Sequence, residues 1–203
     1  MFKIAVLASG GGTNLQSIID SIDNGRLNCK IEMVIGSKEG IYAIERAKNK
    51  GIENYIVDKS KYGNKTSEKI LELTKGKVDL IVLAGYLSIL EGEILQVFKD
   101  KIINIHPSLI PSFCGAKMYG LKVHEAVINS GVKFTGCTVH FVNEEVDRGA
   151  IIIQEVVPVY FEDTKEELQK RVLEKEHIIL PKAIELISKN KIEIINGKTR
   201  IVK

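Results

Sequence analysis

In an extended chain over residues 101–107, Ile102, Asn104 and His106 share one side and Ile103 and Ile105 the other. An amide and an imidazole therefore emerge together where the run stops at Pro107. The imidazole can protonate a developing alkoxide, and the amide can donate a hydrogen bond to the same oxygen without changing charge, a pair suited to acyl transfer. The competing reading is structural: a His and an Asn that fix the backbone of the loop shaped by Pro107, Pro111 and Gly115. Asp147 lies in the turn Asp147-Arg148-Gly149 between two apolar runs. Beside His106 its carboxylate would raise the imidazole pKa and relay a proton through water; otherwise it caps its own turn, the commoner role for Asp before Gly. His140, between Val139 and Phe141, is the rival base and reads as a hydrogen-bonded core or supporting histidine.

A second constellation is made of backbone. Ser9-Gly10-Gly11-Gly12-Thr13-Asn14-Leu15 follows an apolar run and opens a helix, which presents N–H groups at the positive end of the helix dipole and suits a phosphate. Thr13 and Gln16 have capping-box spacing. Leu15 stands where the dinucleotide fingerprint needs its third glycine, and Gly-Lys-Ser/Thr is absent, so a monophosphate is favoured; a tight turn without ligand is the alternative. Glu176 falls on the apolar stripe Leu168, Val172, Leu180, Ile187 of a long helix. A carboxylate there needs a partner, either a ligand hydroxyl or amine or an internal cation.

These groups must be carried by a frame. Short β-branched runs at Lys3 to Ala8, Ile31 to Ser37, Tyr55 to Val57, Leu80 to Ala84 and Ile102 to Ile105 alternate with amphipathic stretches at Asn14 to Asn24, Tyr42 to Lys50, Thr66 to Thr74 and Glu93 to Phe98. That rhythm predicts an α/β fold, an open twisted mostly parallel sheet flanked by helices, with ligands at the carboxyl ends of its strands. Beyond Ile105 the spacing predicts a helix over Leu121 to Asn129. Two strands follow, around Val139 and Ile152, forming an antiparallel C-terminal extension joined by the polar loop Asn143 to Gly149. Thr164 and Glu167 form a capping box opening a helix to about Lys189, bent near Pro181, and Asn196-Gly197 marks a final hairpin.

At 203 residues the expectation is one domain, 1–203, in two halves, 1–105 and 106–203. Hydrophobic residues at 44% and charged residues at 27% describe an ordinary globular chain, and a net charge of +3 without a polybasic arm argues against a nucleic-acid partner. Cys29, Cys114 and Cys137 form no C-x-x-C pair, and residues 2–8 are too short an apolar run for a membrane span. No metal, no membrane and a cytoplasmic monomer or homodimer are expected.

The glycine turn, Leu83-Ala84-Gly85-Tyr86, Asn104-Ile105-His106-Pro107-Ser108-Leu109, and Thr138-Val139-His140-Phe141 with Asp147 together resemble the phosphoribosylglycinamide formyltransferase (glycinamide ribonucleotide transformylase) family of the folate-dependent formyltransferase superfamily, over about Phe2 to Ile187. The Rossmann-like formyltransferase fold comes with that resemblance. So do 10-formyltetrahydrofolate as co-substrate, phosphoribosylglycinamide as acceptor, and a tetrahedral intermediate. His106 would be the general acid, Asn104 the oxyanion donor and Asp147 the proton relay. Gly12, Thr13, Asn14 and Glu176 would meet the ribonucleotide. The folate would meet Lys65, Leu87, Ser88, Ile89, Leu90, Asn104, Val142, Asn143, Glu144, Glu145 and Val146. Lys65 stands where an arginine is common in the family and gives no two-pronged grip; Ser88 stands where a basic residue is usual, which leaves backbone contacts. A formyltetrahydrofolate hydrolase, another formyltransferase-domain protein such as the transfer domain of methionyl-tRNA formyltransferase, and a non-catalytic or redox nucleotide binder are the competing functions.

Overall fold

A computed structural model describes residues 1–202. The elements in order are β1 (Phe2–Ala8), α1 (Thr13–Asp23), β2 (Cys29–Gly36), α2 (Tyr42–Asn49), β3 (Glu53–Ile56), α3 (Lys59–Tyr62), a 3-10 turn (Gly63–Lys65), α4 (Thr66–Thr74), β4 (Leu80–Leu83), α5 (Glu93–Val97) and β5 (Ile102–His106). Then come α6 (Leu121–Ser130), β6 (Phe134–Phe141), β7 (Ile151–Pro158), α7 (Lys165–Ser188), β8 (Ile192–Ile195) and β9 (Lys198–Ile201). β1 to β5 pair in parallel, β6 and β7 antiparallel, in a seven-stranded sheet of order β3-β2-β1-β4-β5-β6-β7. The α/β fold with its antiparallel extension is thus the one the alternation predicts. Differences are at the margins: β3 starts two residues before the expected Tyr55, and the α3 turn, too short for a periodicity signal, lies in a stretch to which the alternation assigns no element.

The chain forms two compact units. The first comprises Met1–Asn104 with Val142–Glu144; the second comprises Ile105–Phe141 and the described chain from Glu145 onward. In the first, β1 and β4 are buried along both faces, which is why they read as unbroken apolar runs. Ala5, Leu7, Met33, Ile35, Ile81, Leu83 and Ile102 meet Ile70 and Leu71 of α4, Ile94 of α5 and Phe98 at its end in one core. Burying such side chains contributes about 1.5–3 kcal/mol each.

In the second unit α7 packs against α6, β6 and β7. Its start is fixed by the capping box foreseen from sequence: Thr164 Oγ1 accepts the Glu167 N–H at 3.2 Å and Glu167 accepts the Thr164 N–H at 2.9 Å. The helix runs on through Pro181. β8 and β9 form the hairpin, with Asn196 and Gly197 both at positive φ as a two-residue turn of this hand requires.

Candidate active site

Gly12 closes the turn between β1 and α1. It is the N-cap of α1 at φ 68°, and a Cβ on it would lie 2.8 Å from Cα and Cβ of Ala43, so both conformation and space demand glycine. The expected Thr13–Gln16 capping box is absent. Thr13 is already the first helical residue, no side chain caps the helix, and the Gln16 amide oxygen instead accepts from Arg46 Nη1 at 2.7 Å. Without a side chain over the helix end, its leading N–H groups stay open to a ligand. Asn14 is buried at the start of the helix.

Two residues of α2 that sequence reasoning passed over hold this turn. The Ala43 N–H donates to the Gly10 carbonyl at 3.1 Å, and Arg46 Nε donates to the Gly11 carbonyl at 2.9 Å. The Arg46 guanidinium also stacks over the Tyr42 ring, 4.7 Å from its centroid. In the sequence Arg46 is one more polar residue of an amphipathic helix, since a bond to a distant carbonyl leaves no trace in periodicity.

On the far side of the same turn, the Ser9 N–H donates to the Gly85 carbonyl at 3.1 Å, and Ser9 Oγ accepts the Leu87 N–H at 2.9 Å. Leu87 and Ile89 are exposed, whereas Leu90 turns into the core beside Tyr86. Ser88 lies between them in the loop that follows β4. Lys65 closes the 3-10 turn before α4 and is exposed. Val142 joins the first unit's core, and its N–H donates to the Ile102 carbonyl. Asn143 and Glu144 are exposed; Asn104 is half-buried on β5, two residues before His106.

In the second unit His106, Asp147 and His140 converge. His106 is 4% exposed; its Nε2 lies 3.0 Å from the Phe113 carbonyl and its Nδ1 3.7 Å from Asp147 Oδ2. His140 bonds the Phe141 carbonyl through Nδ1 and brings Nε2 to 3.6 Å from Asp147 Oδ1. Carbonyls only accept, so a neutral His106 carries its proton on Nε2. A water could bridge either gap, and a proton arriving on His106 Nδ1 would sit next to the Asp147 charge.

Asp147 stands at φ 56° in the turn and accepts the Gly115 N–H at 2.8 Å. The carboxylate therefore bonds a distant backbone N–H rather than capping its own turn, and it lies beside both imidazoles. Burial would raise the Asp147 pKa, but His140, His106 and Gly115 together hold it below the usual 3.8. Burial pushes the His106 pKa below 6.5, against the opposing pull of the Phe113 bond and the Asp147 charge. At neutral pH Asp147 is an ionised carboxylate facing the neutral His106 imidazole.

The loop after His106 is tied down by side chains of β6 and β7. Thr138 on β6 donates through Oγ1 to the Ser108 carbonyl at 2.7 Å and accepts the Ile110 N–H at 3.1 Å. Gln154 Nε2 reaches both Thr138 Oγ1 and the Ile110 carbonyl at 3.0 Å, and Ser108 Oγ donates to the Ser112 carbonyl. Glu145 is exposed and Val146 largely so. Glu176 sits at 6% exposure on the buried face of α7, as the apolar stripe implied, while Ile187 at the other end of that stripe is only half-buried. Among the described residues no group of three or more His, Cys, Asp and Glu side chains is arranged to hold a metal ion. None of the described helices is long and apolar enough to cross a membrane.

Residues 2–184 match the family described as formyl transferase. The chain is 42% identical over 197 residues to the phosphoribosylglycinamide formyltransferase of Haemophilus influenzae, covering 96% of this chain and 91% of that one. It is 43% identical over 197 residues to the trifunctional purine biosynthetic protein adenosine-3 of Gallus gallus, covering 95% of this chain and only 19% of that protein. The chain thus spans about a fifth of that relative's length. The crystal structure of glycinamide ribonucleotide transformylase 1 from Symbiobacterium toebii superposes with a TM-score of 0.94 at 39% identity, covering 100% of this chain and 95% of that one.

Proposed function

The chain belongs to the formyl transferase family, and on that premise we propose that it transfers the formyl group of 10-formyltetrahydrofolate to the amine of phosphoribosylglycinamide in purine biosynthesis. The glycine turn carries the choice of acceptor. It is a short stretch of backbone donors at the start of α1, lacking the lysine of a triphosphate loop and the third glycine of a dinucleotide loop, and it suits one phosphate. Gly12, Thr13 and Asn14 bind that phosphate, and Glu176 accepts from the ribose hydroxyls.

In the reaction the amine nitrogen bonds to the formyl carbon, the carbonyl oxygen gathers negative charge, and the bond from that carbon to the folate nitrogen then breaks. One proton leaves the amine and one arrives on the departing nitrogen. Asn104 donates to the oxyanion. His106, neutral at rest because it is buried, gains a proton opposite the Asp147 carboxylate and gives it up as general acid. Asp147 keeps that exchange reversible through water. His140 steadies Asp147 from its other side.

The exposed apolar pair Leu87 and Ile89 suits a flat pterin ring. Ser88, Leu90, Asn104, Val142, Asn143, Glu144, Glu145 and Val146 complete the folate contacts through backbone and polar groups, with Lys65 answering the folate's carboxylate tail as a single point charge. The chain acts as one domain, 1–105 serving the ribonucleotide and 106–203 the folate and C-terminal functions. No metal takes part in these steps.

An absorbance assay decides the reading. Formyltetrahydrofolate consumed only when phosphoribosylglycinamide is added supports it. Consumption at the same rate without the acceptor would make the chain a hydrolase instead.

A further inference from the structure

The glycine turn presents a physical problem that its own residues leave unsolved. A Gly-Gly peptide has almost no steric preference between its two faces, so a loop of three glycines aims its N–H groups in many directions at little cost. A phosphate site needs them fixed. In a planar trans peptide the carbonyl and the following N–H point in opposite directions, so whatever grips the carbonyl also aims the N–H.

Here both carbonyls are gripped from one side by the same helix. The Ala43 N–H takes the Gly10 carbonyl at 3.1 Å; it belongs to the first turn of α2, where it has no helical partner. Arg46 Nε, one turn further on, takes the Gly11 carbonyl at 2.9 Å. The guanidinium is itself immobilised by Gln16 of α1 at 2.7 Å and by the Tyr42 ring. Gly12 lies against Ala43 so closely that no Cβ fits, which seats the turn on α2 without slack.

We propose that α2 is the jig of the phosphate turn. Arg46 and the Ala43 N–H hold the Gly11 and Gly10 carbonyls and thereby aim the Gly12 and Gly11 N–H groups away from α2, at the ribonucleotide phosphate. Arg46 is a positioning residue, acting through the peptide plane between Gly11 and Gly12. This deepens the proposed function and rests on its reading of the turn as the phosphate site.

The test compares Arg46→Ala and Arg46→Lys with the parent chain on two acceptors, the ribonucleotide and the same glycinamide riboside without its phosphate. A charged hydrogen bond is worth about 1.5–3 kcal/mol, so Arg46→Ala should raise KM for the ribonucleotide about tenfold or more and leave kcat and the folate KM unchanged. It should leave the riboside reaction unchanged too, because that substrate does not use the aimed donors. Arg46→Lys, able to reach the carbonyl but not Gln16 as well, should recover part of the loss. An unchanged ribonucleotide KM in Arg46→Ala overturns the jig, and so does an equal rise for both acceptors, which would report general damage. If the parent chain formylates neither acceptor, it is the functional reading that fails.

Discussion

The glycine turn and the His106 cluster solve opposite problems. The turn is backbone chemistry: its donors lie within a few consecutive residues, it carries no titrating group of its own, and it works by being held still. The cluster is side-chain chemistry: His106, His140 and Asp147 come from β5, β6 and the loop before β7, and their usefulness depends on protonation. A ground-state anion such as a phosphate asks only for fixed dipoles, whereas moving a proton asks for groups whose pKa values are set against one another. Mutations should accordingly separate binding effects at the turn from rate and pH effects at the cluster.

The largest effect is expected at His106. His106→Ala should lower kcat about 10²- to 10⁴-fold while ribonucleotide affinity, measured by calorimetry, stays near the parent value. A comparable loss of affinity would erase the contrast between the regions. Asp147→Asn should come next. It removes the charge that raises the His106 pKa, so the acidic limb of the pH–rate profile should move to lower pH as kcat drops. If the limb stays in place, Asp147 does not govern His106.

His124 on α6 extends the comparison to stability. Burial, with His106 adding repulsion, lowers its pKa from 6.5 to about 4. The unfolded chain therefore binds the extra proton first: stability is intact above pH 6.5, falls as pH drops toward 4, and levels off below. The loss should reach about 3 kcal/mol, read as urea midpoints across that range. His124→Asn should flatten the slope, and an unaltered slope would assign it to other groups.

Thr138→Val leaves the Ile110 N–H without its acceptor and the Ser108 carbonyl without its donor. It should cost about 1–3 kcal/mol by chemical denaturation, lowering kcat more than ribonucleotide affinity because the part released is the loop after His106. The smallest change, Gly12→Ala, forces a side chain into φ 68° against Ala43, worth about 1–2 kcal/mol from the backbone alone. It should appear chiefly as a roughly tenfold higher KM for the ribonucleotide. A lowered kcat at constant KM would put the turn on the catalytic side of the divide.

Legibility in the sequence follows the same line. The parallel strands, the turn after β1, the capping box at Thr164 and the hairpin at Asn196-Gly197 are encoded over short spans, where periodicity and local hydrogen bonding act residue by residue. The failures occur where a distant group outbids a local one. Gln16 has the spacing to cap α1, yet its side chain is taken by Arg46 of another helix, and Thr13 falls inside the helix rather than at its edge.

What the sequence alone determined, then, is the alternation of elements, the place of the glycine turn, and the emergence of Asn104 and His106 at one strand end, since the twofold period of an extended chain fixes which neighbours share a face. Only the tertiary structure decided that Asp147 lies between two imidazoles and that α2 grips the turn. Both depend on atoms far apart in the chain brought close together; the burial that accompanies this approach keeps His106 neutral, while the partners it brings keep Asp147 ionised.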